Sequence, residues 1–245
     1  MLYINRFFTA IELIYSPKPI LDYVVLDLNS IHLSEIWQAV HWLYWPVLLF
    51  ALYKAPWRIM LQKDSSNILF ATCASIFLLW QLKINVADGL SVHLLGMTVL
   101  TLMFRWQVAL IAQAIILVGI TLVSRADFQA FAMNGLLSGV VPVAISYAIW
   151  RFNEWYLPAN YFVYIFIAAF LAAALSMLFT GYLSYRVLSS TINQLSTQTL
   201  DEYLLIYIPM MYPEAFLTGA VISIFVIYKP HWISTFDDRR YLNRR

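Results

Sequence analysis

A single cysteine, Cys73, stands among 245 residues. That rules out an internal disulfide and a cysteine-rich metal cage, and it leaves a small residue that packs more readily than it reacts. Charge is also scarce: Asp, Glu, Lys and Arg make up 11% of the chain, against 62% hydrophobic residues. An average soluble domain is about 25% charged, so this chain has too little polar surface to cover its apolar bulk as a soluble globule. The alternation of apolar and polar residues that a membrane barrel requires is missing. So are a phosphate-cradling glycine loop, a His-Glu-x-x-His helix and a nucleophile elbow. No catalytic set emerges, no cofactor is required, and no nucleic-acid partner is expected. A process driven by ATP would need a separate ATPase subunit.

What the chain has instead is apolar runs near the length of a membrane span, about 20 residues each. They fall at residues 34–53, 68–82, 90–104, 106–123, 128–150, 161–185 and 203–228. The expected fold is therefore all-α, a polytopic helical membrane protein with about seven transmembrane helices in the lipid bilayer. The third run is short, and Arg105 marks a turn before the fourth. Residues 1–33 mix aromatics with Arg6, Glu12, Lys18, Asp22 and Asp27, and read as an interfacial or re-entrant segment rather than a span or a secretory signal. Residues 34–228 form the transmembrane domain and residues 229–245 a basic tail.

The positive-inside rule orients the spans. One set of alternate loops holds Lys54, Arg58, Lys63, Arg105, Arg151, Lys229, Arg239, Arg240, Arg244 and Arg245; the other holds Arg6, Lys18, Lys83, Arg125 and Arg186. The N-terminus is expected outside and the C-terminus in the cytoplasm. The outer loops are acidic, with Glu12, Asp22, Asp27, Glu35, Asp88, Asp127, Asp201 and Glu202. Gly135 and Gly139 make a small-xxx-small pattern, and small residues recur between Ala168 and Ser176. Such residues let helices approach closely inside a bundle, or at a dimer interface; internal packing is the commoner use.

The stretch Ala87–Thr98 draws the eye, because a histidine, two glycines and a threonine sit where an apolar segment enters the bilayer. An ionisable residue there marks a site unless it is satisfied locally. His93 either donates a ring nitrogen to a metal or substrate, or hydrogen-bonds a nearby carbonyl. His32, Glu35 and His41 lie at the outer start of the first span, and with His93 could form a nitrogen and oxygen site for a borderline ion such as nickel or cobalt. Met97 is either a soft ligand or packing. Asn134 and Gln113 are expected to hydrogen-bond between helices. Glu214, just after Pro213, either handles protons or cations, or sits in the first turn of a new helix where backbone N–H groups satisfy it. The tail from Lys229 to Leu242 could dock a partner or touch anionic lipid.

The run His93-Leu94-Leu95-Gly96 through Leu102 and Trp106, then Asn134-Gly135, then Pro213-Glu214-Ala215-Phe216-Leu217-Thr218-Gly219, resembles the energy-coupling factor ABC transporter permeases of the cobalt/nickel type. Phe162–Phe166 and the ending from Pro230-His231-Trp232 to Leu242 are similar to a branch of small bacterial inner-membrane proteins. The similarity covers roughly residues 32–242. It implies a seven-helix substrate-capture subunit working with separate ATPase and coupling transmembrane subunits in the inner membrane, with a nickel or cobalt ion as cargo. The resemblance further implies that the ion is held by the free amine and second-residue histidine of the extreme N-terminus, and by a histidine before the Leu-Gly turn. His93 matches the last of these. Ile31-His32-Leu33 resembles the Met-His-Ile start, but 31 residues precede His32 here, so the terminal amine is absent from that position unless the chain is processed. Two other classes remain open: an assembly or scaffold protein that kept the fold and lost the cargo, and an intramembrane enzyme using Glu214 and His41.

Overall fold

The computed structural model describes residues 39–60, 62–87, 90–124, 131–191, 197–237 and 241; the segment 1–33 with His32, and Glu35, lie outside the described residues. Helix α1 (Tyr44–Lys54) ends where Ala55 turns extended, at ψ 139°, ahead of Pro56, the conformation that the following proline ring favours. A single turn, α2 (Trp57–Met60), leads into α3 (Lys63–Gln81). Then comes an antiparallel hairpin of β1 (Lys83–Ala87) and β2 (Leu90–His93), pairing Lys83 with His93 and Ile84 with Val92. This hairpin corrects the all-helical expectation. The apolar run starting at residue 90 is a strand, and helix begins only at Met97. Hydrophobicity alone does not separate the two, whereas Val92 and Ser91 around the Asp88-Gly89 dipeptide carry strand and hairpin chemistry.

Among the described residues, four helical segments are long and apolar enough by length and composition to cross a membrane: Met97–Val123, Phe131–Tyr156, Tyr161–Ser190 and Leu200–Tyr228. We label them α4 to α7, with α4 extending over Met97–Ser124 and α7 over Thr197–Tyr228. α4 is not a straight rod. Arg105 has φ 63° and ψ 171°, which no helix accommodates, so the element is two legs, 97–104 and 106–124. Gly96, just before the first leg, packs on Ile76 of α3, and Gly119, well into the second leg, packs on Phe77 next door. Along one straight helix residues 96 and 119 would lie about 34 Å apart. Both can reach adjacent residues of α3 only if the chain doubles back at Arg105, which is the turn the sequence placed there.

The other helices carry local adjustments. A π turn at Leu136–Val140 in α5 precedes Pro142, the register change expected where a proline ring would strike the carbonyl four residues back. α7 runs unbroken through Pro209 and Pro213. No helix starts at Pro213, so Glu214 lies in the interior of α7 and not in a first turn. Apolar surroundings force the backbone to satisfy its own hydrogen bonds, which holds a helix together across prolines.

The glycine pattern packs inward. A Cβ on Gly135 would lie 2.5 Å from the Tyr44 ring, and one on Gly139 would run into the Gln113 amide. The Tyr44 hydroxyl donates to Gln113 Oε1 at 3.1 Å, joining α1 to the second leg of α4. Cys73 is buried and unpaired. The segment after α7 is not a loose tail. Thr235 donates its Oγ1–H to the Leu102 carbonyl at 2.6 Å, and the Ser234 N–H bonds the Met103 carbonyl at 3.0 Å. These are carbonyls of the last turn before the break at Arg105, which lack acceptor duty within their own helix. Tyr164 of α6 and Trp150 of α5 also bond Thr235, and Phe236 and Tyr241 stack on each other and meet the Tyr164 ring at steep angles.

Candidate functional site

The link from β2 to α4 is held from two sides. Trp80, in the last turn of α3 and buried, donates its indole N–H to the Leu95 carbonyl at 2.9 Å. From α7, the buried Glu214 carboxylate accepts the backbone N–H of Leu95 on one oxygen and that of Gly96 on the other, each at 2.8 Å. Both polar groups of Leu95 are thereby satisfied in an apolar interior, and a negative group sits near the positive end of the first leg of α4. Gly96 has φ +67°, and a Cβ there would press on Ile76 at 3.2 Å. Only glycine turns this corner at no steric cost.

His93 is the last residue of β2, 5% exposed, with its ring 4.7 Å from that of Trp80. Its Nδ1 lies 2.7 Å from the Leu94 carbonyl. A carbonyl oxygen can only accept, so Nδ1 carries the proton and Nε2 keeps its lone pair. Burial pushes the imidazole down to about 4, opposed by the Leu94 carbonyl and reinforced by the charge of Lys83 across the hairpin. The ring is therefore neutral at physiological pH, the form in which imidazole ligates a metal. Ser91, two residues back, shares this face of the strand because strand side chains alternate. It is buried, and its hydroxyl has no hydrogen-bond partner among the described residues. A lone-pair nitrogen and an unsatisfied hydroxyl on one buried strand face can hold a polar guest.

The remaining residues singled out from the sequence divide around this point. Glu214 joins the His93 region as the clamp on residues 95–96. Met97 follows directly and is fully buried in the apolar core, with its carbonyl taken by the Thr101 hydroxyl. His41 and Asn134 belong with the α1 and α5 starts instead. His41 is half-buried beside Trp42, and its Nδ1 is shielded, with no hydrogen-bond partner among the described residues. Asn134 is buried next to Gly135, and its Oδ1 has no partner among the described residues. His32 and Glu35 lie outside the described residues. No group of three or more His, Cys, Asp or Glu side chains that could hold a metal comes together among the described residues. Trp80 and Ser91 were missed. A tryptophan closing an apolar run carries no motif, and the Ser91-x-His93 spacing is informative only once the stretch is known to be a strand.

A family model for the cobalt uptake substrate-specific transmembrane region matches residues 33–232. A solved structure of a truncated transition metal transporter aligns over 82% of this chain and 99% of its own, with TM-score 0.62 and 15% identity. A second transition metal transporter structure aligns over 84% of this chain and 96% of its own, with TM-score 0.63 and again 15% identity. At that identity the likeness is one of fold. No curated protein matches the chain.

Proposed function

This chain belongs to the cobalt uptake substrate-specific transmembrane family, and on that premise we propose that it is the substrate-capturing subunit of an energy-coupling factor importer for a divalent transition metal such as nickel or cobalt. As a family member it is a multi-pass membrane component of a transporter and not an enzyme, and the metal ion is its cargo rather than a cofactor. The observation that carries the reading is the state of His93: neutral, buried, its tautomer set by the Leu94 carbonyl, and Nε2 left with a lone pair on the strand face that Ser91 shares. Glu214 and Trp80 position that ring from outside the ligand sphere, the usual office of groups one layer out from a metal. His32, which sits immediately ahead of the matched region, supplies a second imidazole in this scheme. A separate ATPase and a coupling transmembrane subunit provide the energy.

In this proposal about seven segments cross the bilayer within residues 34–228. The N-terminus lies outside and the C-terminus in the cytoplasm of a bacterial inner membrane. In support, the Arg105 end of the bundle also carries Lys54, Arg58, Lys63, Arg151 and Lys229, the positive-inside pattern. Elemental analysis of the detergent-purified full-length protein tests the reading. About one nickel or cobalt per chain, lost in His93→Ala, is the expected result under the ligation chemistry of neutral imidazole. An equal metal load in His93→Ala would overturn the assignment, and no metal at saturation would favour the scaffold reading.

A further inference from the structure

α3 and α7 stand on opposite sides of the short first leg of α4 and leave a groove of about 620 Å³ between them. Ile68, Ala71, Leu79, Val99, Val221 and Phe225 are among its walls. Two hydroxyls in the wall are already spent, since Thr72 donates to the Ile68 carbonyl and Ser75 to the Ala71 carbonyl. The polar side chain left over is Asn67, one turn from the start of α3. Leu217, Val221 and Phe225 belong to a membrane-spanning helix, so the groove is an apolar slot at bilayer depth.

The slot does not end blind. Ile68, Met103 and Trp232 also line a second cavity, of about 340 Å³, at the Arg105 turn. There the lining changes to Arg105, His231, Ser65 and Ser234 beside Pro56 and Ile59. Arg105 is exposed, lies 3.5 Å from the Ser234 carbonyl and has no carboxylate partner among the described residues. Arg58 and Lys63, both exposed, flank the same mouth in sequence. An apolar slot opening onto a mouth where Arg105 has no carboxylate partner among the described residues matches a molecule with an acyl chain at one end and an anion at the other. A bare helix would fill the slot and leave the arginine unanswered.

We infer that the α3/α7 groove and the Arg105 mouth together bind one anionic phospholipid, an acyl chain in the slot and the phosphate at Arg105 and His231. The site is separate from the His93 region and stands whether or not a metal is bound there. The guanidinium acts through charge-assisted hydrogen bonds to phosphate oxygens. The slot volume falls within the roughly 300–1,000 Å³ of pockets that enclose small molecules.

Native mass spectrometry of the full-length protein, titrated in detergent with phosphatidylglycerol or phosphatidylcholine, tests this. The expected result is one phosphatidylglycerol per chain, held at least about tenfold more tightly than phosphatidylcholine, as charge assistance implies. Arg105→Gly removes the charge, and glycine suits the φ of 63° found there. It should abolish the preference for the anionic lipid while leaving the fold intact. Ala71→Trp, on an exposed wall position, should fill the slot and weaken both lipids. Equal retention of the two lipids by the parent protein would overturn the proposal. So would Arg105→Gly keeping the full preference, or a second copy of the chain occupying the face as a dimer that excludes lipid.

Discussion

Replacing Glu214 with alanine probes how the His93 segment is held. The carboxylate takes two backbone N–H groups, of Leu95 and Gly96, at 2.8 Å each, inside the bundle. Hydrogen bonds to a charged group contribute about 1.5–3 kcal/mol each, so losing both costs about 3–6 kcal/mol. That is a large share of a total stability on the order of 5–15 kcal/mol. Cys73 is the sole cysteine and is buried, so a fluorogenic thiol-reactive dye reports unfolding without further labelling. At about 2–4 °C per kcal/mol for a chain of this size, Glu214→Ala should lower the midpoint by about 10 °C. Glu214→Gln keeps one acceptor but sets an amide donor against a backbone donor, and should fall between the two. Nickel or cobalt affinity should drop about 10- to 100-fold in Glu214→Ala, the usual cost of removing support one layer out from a metal. A melting midpoint within about 2 °C of the parent, well inside what even one such bond is worth, would refute the clamp.

Other outcomes follow from the same geometry. Because His93 titrates at about 4 in the folded protein and at about 6.5 unfolded, the unfolded chain takes up the proton first as pH falls. Its contribution is therefore intact above pH 6.5 and is lost progressively down to about pH 4. Between pH 6.5 and 5 the parent should lose about 2 kcal/mol more than His93→Asn, at about 1.4 kcal/mol per pH unit, measured by dye-monitored melting with a chelator present. Identical pH profiles would count against a buried neutral ring. Thr235→Val keeps the shape but removes the hydroxyl that donates to the Leu102 carbonyl and accepts from Tyr164. It should cost about 1–3 kcal/mol and raise the rate at which a protease clips the chain after residue 229. An unchanged clipping rate would show that Thr235 does not secure the segment.

Much of the bundle was legible in the order of residues, because burying apolar runs of spanning length is a property of composition along the chain. The doubling back at Arg105 was legible for the same reason: a lone arginine between two apolar runs is costly anywhere but at a turn. The hairpin was not, since a short apolar run serves strand or helix equally until its partner is known. His93 could be picked out as an ionisable residue at the edge of an apolar segment. Its tautomer, its neutrality and the hydroxyl of Ser91 beside it came only from packing, which decides which groups share a buried face. Glu214 shows the division most sharply. Sequence marked it as an acid in an apolar helix, which must find donors or change protonation. Which donors it finds depends on two segments more than 100 residues apart meeting at Leu95 and Gly96, and no local pattern encodes that meeting. Likewise the tail was read as docking a partner or touching anionic lipid, yet Ser234 and Thr235 satisfy carbonyls that the broken helix at Arg105 leaves open. Local chemistry stated which groups needed partners, and tertiary structure chose them.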